Sequence, residues 1–171
     1  MTTLELEQTQ TPMRHWSLDS DRTSVEFTVK TFWGLATVRG HFDRCHGSYE
    51  SGLDGTKIEL TLDANGIDTG NVRRDTHLRS ADFFDVADHP QVRFKSTHVH
   101  DAGGGQLYGT GELEAGGASE PVAFAATVRE IGDELEVEGT STVDHRQLGM
   151  SSGLMRMIRP DATIHVTARL V

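Results

Sequence analysis

Cysteine, proline and long apolar runs are scarce in this sequence. The 171 residues include one cysteine, Cys45, and four prolines. A single cysteine excludes an intrachain disulfide and suits a reducing compartment. No window approaches the roughly 18 consecutive apolar residues of a membrane-spanning helix. Residues 1–13 lack the basic start and apolar stretch of a secretory signal. We therefore expect a cytoplasmic protein without stable membrane insertion.

Positive charge is also in short supply. Sixteen lysines and arginines face 26 aspartates and glutamates, which gives a net charge of −10. This balance disfavours nucleic acid and anionic membranes as main partners and favours solubility. Apolar residues make up only 36% of the chain, while glycine occurs 18 times. The length fits one domain, and the glycine-rich, apolar-poor composition favours a β-fold with much surface.

Apolar residues recur at every second position along most of the chain. The alternating runs are separated by glycine turns such as Asp54-Gly55 and Gly116-Gly117. Strict alternation is typical of antiparallel strands with one buried and one solvated face. The pattern predicts a mainly β fold, an eight-stranded antiparallel barrel or sandwich. The apolar positions are Val25, Phe27, Val29, Ile58, Leu60, Leu62, Val92, Phe94, Val122, Phe124, Ala126, Val128, Leu135, Val137, Ile164, Val166, Ala168 and Leu170.

One segment, residues 68–86, interrupts this alternation. Thr69 or Asn71 can cap a short helix that runs to about Ser80. His89-Pro90 then ends the segment, because the residue before proline avoids helical geometry. We predict one barrel domain, residues 13–171, with a short helical insertion, preceded by a flexible tail over residues 1–12.

Histidines offer one route to a metal site. His98 and His100 alternate on a predicted strand and therefore point to the same face. A third ligand would have to come from another strand, and the candidates are His41, His46, His77, His145 and His165. The alternative places both histidines on the wet face, and we predict no metal and no cofactor. Asp144 and His145 are adjacent on a strand, so they point to opposite faces and do not form a hydrolytic triad.

Two charged segments are candidates for binding an anionic group. Residues 73–79, RRDTHLR, can hold a headgroup or form an acid–base site, or can tie the insertion to the barrel through ion pairs. Residues 148–160 combine three methionines with Arg156 and Arg159, a composition that suits either the rim of a lipid pocket or a packed hairpin. Phe32 and Trp33 form a similar apolar group after the first long strand.

Several ordered motifs resemble the YceI-like family. The strongest is RDTHLRSADFFDV at residues 74–86; others are SVEFTVK at 24–30, VRGHF at 38–42 and RQLGM at 146–150. The resemblance implies a lipocalin-like barrel of eight strands with the helix near its opening, and a lumen that binds polyisoprenoids, prenyl diphosphates or isoprenoid quinones. It also implies a possible homodimer. The sequence departs from the family at Arg22 and Thr31, where members often have histidine.

These observations predict a protein that binds a long-chain apolar lipid for sequestration or transport. The alternative is an enzyme, a metal-assisted hydrolase or isomerase acting in the same pocket. Gly109 and Gly111 are expected to leave room in the lumen if they point inward, although a glycine within a strand can equally mark a bend. The predicted lumen residues are Phe27, Val29, Phe42, Leu60, Leu62, Val92, Phe94 and Phe124. The predicted mouth and headgroup residues are Phe32, Trp33, Arg74, His77, Arg79, Phe83, Phe84, Met150, Met155, Arg156 and Arg159.

Overall fold

Strands account for most of the computed structural model, which describes residues 12–31, 36–150 and 158–171. The one α-helix in these ranges, α1, spans Val72–Arg79. The strands are β1 (Arg14–Ser17), β2 (Ser24–Thr31), β3 (Ala36–Phe42), β4 (Cys45–Gly52), β5 (Gly55–Asp63), β6 (Ile67–Asp68), β7 (Gln91–Gly103), β8 (Gln106–Ala115), β9 (Ala118–Ile131), β10 (Glu134–Asp144) and β11 (Ile158–Leu170).

All eleven strands belong to one antiparallel sheet, in the order β1-β4-β5-β7-β8-β9-β10-β11-β2-β3-β6. The sheet curls until β4 and β11 approach each other at Leu18. The Leu18 amide donates to the Gly47 carbonyl of β4 at 2.9 Å, and Leu18 pairs with Leu170 of β11. This curl confirms the predicted mainly β, barrel-like fold.

The strand count differs from the predicted eight. β1 has four residues and β6 has two, which is too short to show alternation. β4 reads CHGSYESG, and its inward positions include Gly47 as well as Cys45 and Tyr49. These elements are held by pairing with longer neighbours, as in the register Trp16–Tyr49 between β1 and β4.

Buried side chains form two clusters at opposite ends of the curled sheet. The β1-end cluster contains Trp16, Tyr49, Leu107, Ala126, Leu135, Ala168 and Leu170. The α1-end cluster contains Val25, Phe42, Cys45, Leu62, Ala64, Ile67, Phe83, Val92, Ala115, Val122, Val143, Leu148 and Met150. Strand β10 runs from one cluster to the other, with Leu135 in the first and Val143 in the second.

The helix α1 confirms the predicted insertion. Asn71 caps its first turn, with Oδ1 accepting from the Arg74 amide at 3.0 Å, and Ser80 follows its last residue. The buried Asp75 carboxylate accepts from the Thr69 amide at 3.0 Å and from the Thr69 hydroxyl at 2.5 Å. This contact ties the helix to the segment after β6. Within the described ranges, no helix is long and apolar enough to cross a membrane.

Candidate ligand cavity

The curled sheet encloses a cavity of about 620 Å³, within the range typical of small-molecule sites. At the β1 end the cavity stops against Leu18, Tyr49 and Leu170. At the α1 end it reaches Arg73, which is exposed to solvent. The cavity therefore opens beside α1, and we call that opening the mouth.

All eight side chains predicted for the lumen line this cavity. They lie on β2, β3, β5, β7 and β9, so the apolar wall is built from strands distant in sequence. The register explains why they meet: Leu60 pairs with Phe94, and Leu62 pairs with Val92, across β5 and β7. The period-two pattern thus identified the inward face correctly. The eight are Phe27, Val29, Phe42, Leu60, Leu62, Val92, Phe94 and Phe124.

Three of the phenyl rings lie against glycines of the neighbouring strand. The Phe124 ring covers Gly109, where an added Cβ would lie 2.8 Å from the ring, and the Phe94 ring covers Gly111. The Phe27 ring covers a third glycine, Gly40, in the same way. The expectation that Gly109 and Gly111 leave room for a ligand is therefore wrong, because the aromatic rings occupy that space. The glycines let the rings lie along the wall of the lumen.

Five of the predicted mouth residues line the cavity: Arg74, His77, Phe83, Phe84 and Met150. The Arg74 guanidinium donates to the Thr69 hydroxyl at 2.7 Å and to the Thr69 carbonyl at 2.9 Å. The His77 ring stacks edge-on against Phe83 with centroids 4.9 Å apart. The mouth therefore combines cationic and aromatic groups on the rim of an apolar lumen.

The structure does not place Arg79 and Arg159 at the cavity wall. Arg79 donates to the Asn65 carbonyl at 3.0 Å and the Ile67 carbonyl at 2.8 Å, so its guanidinium holds α1 against the segment before β6. Arg159 is exposed at the start of β11. The remaining four predictions, Phe32, Trp33, Met155 and Arg156, lie outside the described residues.

Three lining residues of interest, Arg73, Gly139 and His145, were not among the predicted lumen and mouth residues. Arg73 belongs to the charged segment 73–79, a candidate for holding a headgroup, and His145 was considered only as a metal ligand or triad member. Gly139 and His145 continue the inward positions of β10, after Leu135 and Val137, so alternation extended by a few residues would have found both. The buried His145 ring has Nδ1 3.3 Å from the Met150 carbonyl and Nε2 2.9 Å from the Arg159 carbonyl. It thus joins the β10 end to the start of β11.

The histidine pair on β7 does not face the lumen. His98 and His100 are exposed on the outer face, while Val99 between them packs toward the β1-end cluster. Within residues 12–31, 36–150 and 158–171, no three histidine, cysteine, aspartate or glutamate side chains are grouped closely enough to hold a metal ion. The two histidines share one face, as predicted, but that face is the solvated one.

Burial shifts the pKa values of two titratable groups in the interior. Desolvation raises the pKa of the Cys45 thiol and of the Tyr49 hydroxyl above their usual values. Tyr49 lies where the cavity ends, in edge-on contact with Trp16 at 5.7 Å. Aromatic rings therefore line the closed end of the lumen.

The fold and cavity define a class of protein: antiparallel β proteins curled around an internal apolar cavity with a polar mouth. Within that class, the chain belongs to the YceI-like family, because the YceI-like domain matches residues 16–170.

Curated relatives support the same membership. A UPF0312 protein of Pseudomonas aeruginosa is 32% identical over 139 residues, covering 76% of this chain and 72% of that protein. A UPF0312 protein of Shewanella denitrificans is 35% identical over 106 residues, covering 60% of this chain. That match spans 55% of the length of the Shewanella protein.

Solved structures share the fold at low sequence identity. BcnA of Burkholderia cenocepacia aligns with a TM-score of 0.80 at 20% identity, covering 89% of this chain and 98% of that one. A polyisoprenoid-binding domain from Saccharophagus degradans aligns with a TM-score of 0.73 at 14% identity, covering 91% and 97%. At these identities the likeness establishes the curled-sheet fold.

Proposed function

We propose that this protein binds one long-chain apolar lipid of the isoprenoid type, with its tail in the lumen, for sequestration or transport. The observation that carries the proposal is the cavity of about 620 Å³, whose wall is dominated by aliphatic and phenyl side chains. Burial contributes roughly 0.8 kcal/mol per methylene, so a tail binds such a lumen with few polar contacts. The similarity to a solved polyisoprenoid-binding domain supports an isoprenoid tail.

The residues at the mouth favour a lipid with a polar or anionic headgroup. Arg73, Arg74 and His77 all line the cavity where it opens, and all three lie on α1. Among the described residues, Arg73 forms no ion pair with a carboxylate, and Arg74 donates to uncharged Thr69 oxygens. The His77 Nε2 atom lies 3.4 Å from a carboxylate oxygen of Asp82. Guanidinium groups without acidic partners attract diphosphate or quinone oxygens.

We propose binding rather than catalysis. The alternative, a metal-assisted hydrolase or isomerase, requires several histidines or carboxylates that converge on the lumen. Of the described histidines, His77 and His145 line it, and both His145 nitrogens face backbone carbonyls. Metal analysis of protein purified without an affinity tag separates the two functions, because an equivalent of bound zinc or iron would favour the enzyme.

The cytoplasmic location and the homodimer stay predictions from the sequence. Cell fractionation tests the first. Size-exclusion chromatography with light scattering tests the second, through the mass of the particle in solution.

Native mass spectrometry tests the binding proposal. The purified chain is expected to carry a lipid-sized adduct or to take up added prenyl compounds. Ile164→Gln places an amide on the lumen wall, where it leaves polar atoms without partners, so uptake should fall. His165→Gln, one residue away on the outer face, is the matched control and should leave uptake unchanged. A mass without adduct and no uptake of any prenyl compound would contradict the proposal.

A further inference from the structure

One glycine on the lumen wall faces open space. At Gly40, Gly109 and Gly111, an added Cβ would collide with a phenyl ring. At Gly139 the nearest atoms to an added Cβ are the Ala125 carbonyl oxygen and the Ala126 Cβ, both 3.9 Å away. A side chain at this position would therefore extend into the cavity that Gly139 lines.

Gly139 lies midway along the lumen. It lies four positions after Leu135 of the β1-end cluster and four positions before Val143 of the α1-end cluster. At about 3.4 Å per residue, each distance corresponds to roughly 14 Å of strand. The neighbours of Gly139 across the sheet are Ala126 on β9 and Val166 on β11. At half depth, two of these three wall residues, Gly139 and Ala126, therefore have little or no side chain.

The cavity continues past Gly139 toward the β1 end. Val137, Ala168 and Leu170 all line it, and they lie at or beyond the β10 position of Val137. A tail that enters at the mouth must pass Gly139 to reach this deeper part. We infer that Gly139 determines the length of tail the lumen accepts, because the missing side chain leaves the passage to the deeper half open. This inference rests on the proposed lipid-binding function.

A series of prenols with increasing tail length tests the inference. Farnesol, geranylgeraniol and solanesol are titrated into the unaltered chain and into Gly139→Leu, with native mass spectrometry as the readout. Gly139→Leu should keep farnesol binding and lose affinity for solanesol by about tenfold or more, because excluding only two tail methylenes already costs about that factor. Glu138→Leu adds the same side chain at the neighbouring exposed position and should leave the length profile unchanged.

Three outcomes would overturn the inference. The first is an unchanged length profile for Gly139→Leu. The second is an equal loss for all three prenols, which would indicate a general distortion of the site. The third is that the unaltered chain binds none of the prenols, which would overturn the proposed function and this inference with it. If Gly139→Leu does not fold, Gly139→Ala carries the same test, with a smaller shift against long tails expected.

Discussion

The arginines of α1, at the mouth, and the arginines at the β1 end of the curled sheet have different partners. At the β1 end, Arg22 donates to Glu134 at 3.0 Å and to Asp19 at 2.6 Å, and Arg169 donates to Glu136 at 3.0 Å. These cations are neutralised by carboxylates. At the mouth, the arginines of α1 donate to backbone carbonyls and a hydroxyl, or line the cavity.

The difference separates a structural end from the end where we propose that the headgroup binds. A guanidinium between two carboxylates has little electrostatic attraction left for another anion, whereas one that contacts only neutral oxygens keeps its field. The packing follows the same division. The β1 end is closed by Trp16, Tyr49 and Leu135, while the α1 end leaves the lumen open.

Truncating an aromatic residue at each end should give the largest effect. Trp16 is buried, and its indole nitrogen donates to the Asp133 carbonyl at 3.0 Å. Trp16→Ala should lower the free energy of unfolding by about 3–5 kcal/mol, as large core truncations do. Phe84→Ala at the half-buried mouth should cost clearly less, since fewer contacts are lost there. Urea denaturation measures both free energies of unfolding. Equal losses in the two variants would contradict the view that the closed end contributes more to stability than the mouth.

Removing the charge of Asp75 should loosen the mouth. Its buried carboxylate accepts two hydrogen bonds from Thr69. Asp75→Asn keeps an oxygen that can accept from Thr69, but it removes the charge that strengthens both hydrogen bonds and places an amide NH2 in the buried position of the second carboxylate oxygen. It should cost about 1–3 kcal/mol in urea denaturation, the range for a buried polar group left unpaired. Asp82→Asn, exposed on the same segment, is the control and should change little. An unaffected Asp75→Asn would show that the helix is held by other contacts.

Exchanging single arginines should separate binding from structure. Arg73→Gln should weaken binding of a prenyl diphosphate by about threefold to tenfold, the range for one solvent-accessible charged contact, and leave prenol binding unchanged. Arg22→Gln at the β1 end should leave both ligands unaffected, because its side chain pairs with Asp19 and Glu134. Calorimetric titration measures the affinities. Equal weakening by the two variants would remove the distinction between the ends.

Low pH should weaken the ion pairs of the β1 end more than it weakens the Arg146–Asp144 pair. We expect this to be the smallest of the four effects. Hydrogen bonds from Arg22 lower the pKa of Glu134 below its usual 4.5 and that of Asp19 below its usual 3.8. A carboxyl group whose pKa is lower in the folded than in the unfolded chain stabilises the fold at pH values above its unfolded pKa. This stabilisation is lost as the pH falls through the folded-state pKa. Stability should therefore decline below about pH 4.5.

The matched variants compare the two ends directly. Arg22→Gln should reduce the loss of unfolding free energy at acidic pH more than Arg146→Gln does. Arg22 lowers the pKa of two carboxyl groups, whereas Arg146 lowers the pKa of one, Asp144. Unfolding free energies measured between neutral and acidic pH give both slopes. A steeper dependence on Arg146 would contradict this ranking.

Much of the wall and helix could be predicted because both depend on short-range patterns. Alternation places Leu60, Leu62 and Phe94 inward whatever strand lies beside them, since successive side chains point to opposite faces. The cap at Asn71 likewise depends on a residue three positions away. β1 and β6 could not be found in this way, because their pairing partners, and not their own residues, hold them in the sheet.

The sequence by itself therefore determined the curled antiparallel class, the inward face of each long strand and the position of the helix. Tertiary structure decided which glycines leave space and which arginines face the lumen. Gly109 and Gly139 both occupy inward positions, yet the register brings the Phe124 ring onto Gly109 and only small groups near Gly139. Arg73 and Arg79 lie on the same helix, but only Arg73 reaches the cavity, because the fold places backbone carbonyls beside Arg79. Such differences depend on atoms brought together from distant parts of the chain, which local patterns do not encode.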